Sequence, residues 1–324
     1  MAEEFDVVVI GGGAAGLSAA VALGRSRRSV VVIDAGEPRN APAAGVHGFL
    51  TRDGVPPAEL LATGRAEAAG YGVELRDGAA VGVRRVGGGF EVTLEPAPVG
   101  AAGRAAVRAR RLVVATGLVD ELPDVAGLRE RWGRDVVHCP YCHGWEVRDE
   151  PIGVLGGHPR ALHGVQLFRQ LSPDVVLFTH TGPAPSPEEL EELAARDVRV
   201  LAGVVTAVEV TDDRLSGVRL ADGTVVPRGA LAVASRLVPR SAVLEGLGLH
   251  PVPDPSGAGE RIEADPTGRT AVDGVWVAGN VTNPMAQVVV AAAGGHLVGA
   301  AVNADLAAED TRNAVAARRA RLAS

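Results

Sequence analysis

The sequence predicts an α/β fold in which a strand, a glycine turn and a helix follow one another in two separate places. Three observations predict it. A β-branched run, Phe5 to Ile10, leads into Gly11-Gly12-Gly13-Ala14-Ala15-Gly16 and then an Ala/Leu-rich stretch from Leu17 to Leu23. A second β-branched run, Val30 to Ile33, ends on Asp34. Further along, Ile152 to Leu155 leads into Gly156-Gly157 and a helix-like stretch to Leu171, so the second half repeats the plan of the first.

The first of these units has the spacing of an adenine-dinucleotide site. Gly11 serves the tight turn, Gly13 the close approach of a pyrophosphate and Gly16 the packing of helix on strand. Ala14 and Ala15 open the helix whose N-terminus takes the phosphates, and Asp34 stands where a carboxylate accepts ribose hydroxyls. The loop after Asp34 adds Arg39 and His47 as candidate cofactor-facing residues, His47 also being open to reading as an ordinary surface-loop histidine.

From Val73 to Ala115, short alternating segments broken at Asp77-Gly78, Gly87 to Gly89 and Gly100 to Gly103 read as an antiparallel meander. It ends in an apolar strand, Leu112 to Ala115, followed by Thr116-Gly117. Val175 to Phe178 reads as another strand, and residues 198–234 as a run of short strands with turns at Asp212-Asp213 and Asp222-Gly223. A third block starts near Ser241, where Ala271 to Asn280 reads as a turn and a buried strand ending on a polar residue. Pro284-Met285-Ala286-Gln287 then begins an Ala/Val/Gly-rich helix through Asp305, and an Arg/Ala-rich tail continues in helical character from 306 to 324.

Composition limits the functions available. With 324 residues, 47% of them hydrophobic, the chain can fill two cores. Met1-Ala2-Glu3-Glu4 is acidic where a secretory signal is basic, and the apolar run after it is too short for a membrane span, so a soluble cytoplasmic protein is expected. A net charge of −7 argues against a nucleic-acid partner. All 32 basic residues are arginine, which excludes lysine Schiff-base chemistry and any P-loop that needs its lysine.

The only two cysteines fall together in His138-Cys139-Pro140-Tyr141-Cys142-His143-Gly144-Trp145-Glu146. Two thiols separated by two residues close a small disulfide ring, and the thiolate of such a pair is a nucleophile, so dithiol redox chemistry is the first reading. His143 is placed to move the proton; His138 either assists or is a loop histidine without chemical duty. A zinc site is the competing reading, but a few contiguous residues can hardly wrap a tetrahedral ion, and no metal is expected. A pair of inert buried thiols is the other alternative.

These segments in this order resemble the low-molecular-weight thioredoxin reductase family of flavoproteins, over the chain to about residue 305. Four motifs carry the resemblance: the N-terminal glycine turn, Ala115-Thr116-Gly117, the C-x-x-C, and Ala278-Gly279-Asn280 followed by Gln287. The resemblance implies two Rossmann-like domains of three-layer ββα build, the second inserted in the first. Residues 1–117 and 241–324 would form a discontinuous FAD-binding domain, and 118–240 a central NAD(P)H-type domain carrying the C-x-x-C. It also implies a homodimer, Asn280 facing the flavin ribityl chain and Gln287 the isoalloxazine edge. By position Cys142 faces the flavin and Cys139 exchanges with substrate. The family usually has Asp where this chain has Asn280 and His143; Asn280 keeps a hydrogen-bonding carbonyl, and His143 takes over as acid and base near neutral pH.

Departures from the family pattern point further. In the central domain the nucleotide loop reads Gly156-Gly157-His158-Pro159-Arg160-Ala161, where His158 replaces a glycine and Pro159 removes an N–H donor. Phe178-Thr179-His180-Thr181 has no arginine pair for a 2′-phosphate, so NADPH binding is doubtful. With Cys-Pro-Tyr-Cys-His-Gly-Trp-Glu, this resembles the dithiol oxidase branch, which closes disulfides in natural products such as gliotoxin and holomycin. That branch implies FAD, a small-molecule dithiol, and O2 taking the electrons to give hydrogen peroxide. The alternative expectation is an NADPH- or ferredoxin-dependent reductase of a thioredoxin-like disulfide partner. A flavin-binding redox sensor without turnover is the third.

Overall fold

The computed structural model describes residues 3–95 and 106–323. The expected break at Gly100 to Gly103 and the first two residues, Met1-Ala2, lie outside the described residues, while Glu3 and Glu4 begin the first strand. The glycine turn lies between β1 (Glu3–Ile10) and α1 (Ala14–Arg25), with β2 (Val30–Asp34) alongside. α2 (Pro57–Gly70) carries the chain to β3 (Glu74–Asp77), then β4 (Ala80–Val86), β5 (Gly89–Leu94) and β6 (Ala106–Val114).

These strands form one sheet in the order β3-β2-β1-β6-β5-β4, parallel as far as β6 and antiparallel beyond it. The expected meander is therefore too long by one strand: Glu74–Asp77 pairs parallel with β2. The reason is α2, whose 14 residues cross over the sheet and return the chain in the same direction.

The chain then leaves this lobe through β7 (Leu118–Glu121) and returns through β16 (Arg236–Pro239), two short strands that pair antiparallel with each other. Between them lie α3 (Leu128–Arg131), β8 (Val136–Val137), α4 (Pro140–His143), β9 (Ile152–Leu155), α5 (Ala161–Phe168), β10 (Val175–Phe178), α6 (Pro187–Ala194) and β11 (Arg199–Leu201). Next come β12 (Val205–Thr211), β13 (Arg214–Leu220), β14 (Val225–Pro227) and β15 (Ala230–Val233).

A parallel sheet β11-β10-β9-β15-β8 forms the centre of this second lobe, and β12-β13-β14 is a separate antiparallel sheet packed on it through Val205, Val218 and Leu220. Val, Leu and Phe on both faces of β9, β10 and β15 are buried, as a covered parallel sheet requires. The expected helix to Leu171 ends at Phe168, and Leu171 packs onto the core below it.

After β17 (Val252–Pro253) and β18 (Glu260–Arg261), β19 (Val275–Val277) rejoins the first sheet beside the second half of β6. The last helix, α7, runs from Val288 to Ala323 as one piece, so helix and tail are a single element; Pro284 to Gln287 form a turn before it rather than its first turn. Its apolar first half lies against α1. A side chain at Gly295 would meet the carbonyl of Ala15 at 1.9 Å, which is why the two helices approach so closely there. Further on, Arg110 and Arg111 of β6 bind Asp305, Glu309 and Asp310 of α7.

Candidate active site

A cleft of about 1050 Å3 opens between the C-terminal ends of β1, β2 and β6 and the disulfide segment. Every site residue expected from the sequence lines it except Gly16, which lies beneath the glycine turn. The placement follows from topology, since the crevice past the carboxyl ends of parallel strands is where such sheets bind ligands.

The glycine turn is built as a cradle. Gly11 has φ of +106°, and a side chain there would meet the carbonyl of Ala115 at 2.4 Å. At Gly16 the corresponding atom would lie 1.9 Å from the Gly11 carbonyl. Gly13 is different: a Cβ there meets nothing within 4 Å, so the turn faces open cleft where phosphate must approach. α1 starts beside it with no side-chain cap, leaving its first-turn N–H groups for an anion. Asp34 is aimed by the Gly12 N–H, which donates to its Oδ1 at 3.0 Å, with Arg65 3.5 Å from its other oxygen. This set fits an adenine dinucleotide.

Thr116 donates its hydroxyl to the Arg240 carbonyl at 2.6 Å, tying the end of β6 to the returning chain, and Gly117 turns there with φ of +73°. Asn280 does more than expected. Its amide Nδ2 donates to the carbonyls of Asn283, Pro284 and Ala286 at 3.1, 3.2 and 2.9 Å, folding the turn that delivers Gln287 to the cleft. A carboxylate cannot donate those bonds.

Cys139 and Cys142 form a disulfide across α4, with Cα atoms 5.2 Å apart. Pro140 starts that short helix, and the Cys139 carbonyl accepts from the N–H groups of both Cys142 and His143. Both sulfur positions line the cleft opposite the glycine turn. Among the described residues, no group of three or more His, Cys, Asp or Glu side chains is placed to hold a metal ion.

Burial holds the His143 imidazole below its ordinary pKa; the Glu146 carboxylate opposes that and the neighbouring His47 adds to it. The Nε2 of His143 is buried without a hydrogen-bond partner. His138 borders the cleft with its ring stacked on Trp132, centroids 5.5 Å apart. Desolvation by the surrounding protein, then the Arg39 guanidinium, pushes His138 down to about 4, against the pull of Asp120. It is a neutral ring near pH 7.

Arg39 reaches the cleft, but its Nε and Nη2 both donate to the Asp120 carboxylate at 2.7 Å, and Ser235 donates to the same carboxylate at 2.6 Å. One edge of its fork is thus paired with β7, and the residue still lines the cleft. His47 is brought to the disulfide: its Nε2 lies 3.4 Å from Glu146 and its Nδ1 3.5 Å from Asp53. Sequence reading assigned no role to Glu146, Asp53, Asp120 or Trp132. Glu146 had a usable signal, being three residues past His143 in the cysteine string; the others had none.

In the second lobe, His158 and Arg160 line the same cleft. The His158 Nδ1 accepts the backbone N–H of Arg160 at 3.1 Å, while Arg160 Nη1 reaches the Met285 sulfur of the first lobe at 3.6 Å. His180 takes the Val205 N–H at 3.1 Å and so supports the loop in which it sits.

The family model described as pyridine nucleotide-disulphide oxidoreductase matches residues 5–295. Thioredoxin reductase sirT of Leptosphaeria maculans is 32% identical over 327 residues, 94% of this chain and 96% of that protein. A protein described as "Probable thioredoxin reductase" from Arthroderma benhamiae is 35% identical over 194 residues; the match takes in 58% of this chain and about half, 46%, of that protein. The crystal structure of HlmI superposes with a TM-score of 0.90 at 48% identity, covering 99% of this chain and 98% of that one.

Proposed function

The chain belongs to the pyridine nucleotide-disulphide oxidoreductase family, and on that premise we propose that it oxidises small-molecule dithiols to disulfides through Cys139 and Cys142, with dioxygen as final acceptor. It is a thioredoxin reductase-like flavoprotein oxidoreductase. The glycine cradle, Asp34, Thr116, Asn280 and Gln287 would hold FAD. When bound, FAD would supply the two-electron acceptor for the reduced cysteine pair and the chemistry that dioxygen reoxidises.

The chain's own residues account for the exchange. A substrate thiol gives its proton to His143 and attacks the Cys139 sulfur; the bond to Cys142 breaks, leaving Cys142 as thiolate. The second substrate thiol attacks the mixed disulfide at the substrate sulfur and closes the substrate disulfide; its proton goes to the departing Cys139 thiolate, and His143 returns the first proton to Cys142. The pair is then a dithiol holding two electrons.

One observation carries the oxidase reading over a reductase fed by NADPH: in the second glycine loop His158 and Pro159 stand where a glycine and an N–H donor would meet a pyrophosphate, and the His158 ring takes up the Arg160 N–H. The curated relatives carry the name thioredoxin reductase, which keeps a second reading open: reduction of a thioredoxin-type disulfide with electrons from NADPH or ferredoxin. Oxygen uptake with a small dithiol and no NADPH, with peroxide formed in step, is the result expected of the purified flavoprotein. Failure to consume oxygen, together with rapid flavin bleaching by NADPH, would establish the reductase.

A further inference from the structure

We propose that Glu146 is a positioning residue for proton transfer at the disulfide: its carboxylate holds His47 across the cleft and supplies the negative charge that His143 meets on taking the substrate proton. This rests on the dithiol-exchange reading above. Glu146 and the cysteines belong to one segment, whereas His47 and Asp53 belong to the loop after β2 in the other lobe. The contact of His47 with Glu146 at 3.4 Å therefore bridges the lobes at the rim of the disulfide. On its other side His47 meets Asp53 at 3.5 Å, and Asp53 is fixed by the Gly48 N–H at 2.9 Å. The imidazole is held between two carboxylates.

Three titratable groups face His143: Glu146, His47 and the neutral His138. Among them Glu146 is the anion. The Nε2 of His143 has no protein partner, so charge rather than a fixed hydrogen bond governs how readily the ring takes a proton. In the step at issue the substrate S–H proton moves to His143, the substrate-sulfur to Cys139 bond forms, the Cys139–Cys142 bond breaks, and the electron pair stays on Cys142. The imidazolium so formed feels the Glu146 carboxylate through space, which favours it; without that carboxylate His143 is a weaker base and the step slows.

The test is the anaerobic bleaching of the flavin by dithiothreitol, followed against pH in wild type, E146Q, E146D and H47Q. E146Q is expected to bleach roughly tenfold more slowly and to move the acid limb of the profile to lower pH, with E146D restoring part of both. H47Q is expected to move that limb to higher pH, because the neighbouring His47 lowers His143. Flavin content and melting temperature serve as fold controls. An E146Q profile equal to wild type, or a slower one with the limb unmoved, would overturn the proposal. Should E146Q fail to fold, an unmoved limb in H47Q overturns it equally. If wild type itself is not bleached, the dithiol-exchange reading falls, and the role of Glu146 with it.

Discussion

The imidazole of His158 accepts the backbone N–H of Arg160 at 3.1 Å, inside the loop that opens α5. That N–H, in the loop leading into the helix, is thereby withheld from any phosphate approaching the turn. Pro159 subtracts another.

Mixing the oxidised flavoprotein with NADPH under anaerobic conditions should leave the flavin spectrum unchanged over the time in which dithiothreitol bleaches it. Stopped-flow absorbance checks this, and titration with NADPH should show no saturable binding at micromolar concentrations.

His143→Asn should reduce the rate of reaction with dithiols by roughly 10²–10⁴-fold, the usual reach of general base catalysis, while leaving flavin content intact. Because burial holds His143 below its ordinary value of about 6.5, the wild-type ring stays an acceptor into mildly acidic solution. Its dithiol reaction should therefore persist below that pH and fail only on further acidification, and the acid limb should vanish in the variant. Oxygen uptake against pH measures both.

Much of this chemistry is legible in the sequence because it is local. The glycine turn, Asp34 and the cysteine string are read from neighbours a few residues apart, and strand alternation located most of the sheet. β3 was misread because a four-residue parallel edge strand has the same pattern as a hairpin arm; only α2 before it reverses the reading. The commitment of Arg39 to Asp120 and the seating of His47 against Glu146 join residues far apart in sequence, and no spacing announces them. Asn280 was identified, but its carbonyl was expected to matter, whereas its donors shape the turn.

Asn280→Asp keeps size and shape but removes the donor to three carbonyls, leaving a charge facing them. Unsatisfied groups of this kind cost about 1–3 kcal/mol. The variant should lose flavin on gel filtration and melt at lower temperature than wild type, read from the absorbance ratio of flavin to protein and a thermal scan.

Asp120 is buried beside Arg39, and although burial alone raises its carboxyl pKa, the paired guanidinium outweighs it and holds the group below the ordinary carboxylate range. Asp120→Asn should cost about 1–3 kcal/mol, since it removes the charge from a hydrogen-bonded pair with the half-buried Arg39. The sign with pH follows from the depressed value: the stabilisation is complete above the unfolded pKa of about 3.9 and is lost as pH falls through the lower folded value. Urea unfolding of wild type and variant at neutral and acid pH should show the gap between them closing in acid.

The two short strands that carry the chain between the lobes, Leu118–Glu121 and Arg236–Pro239, pair with each other, with one further bridge from Leu237 to Gly259. Sulfur pair and cofactor cradle therefore sit at the ends of two arms that meet at this narrow pivot, with Asp120 as the pin locking it to Arg39. A few degrees of rotation there would change the distance between the cysteine pair and the cradle, without altering one reacting group. Turnover in this molecule is thus exposed to substitutions well away from its chemistry.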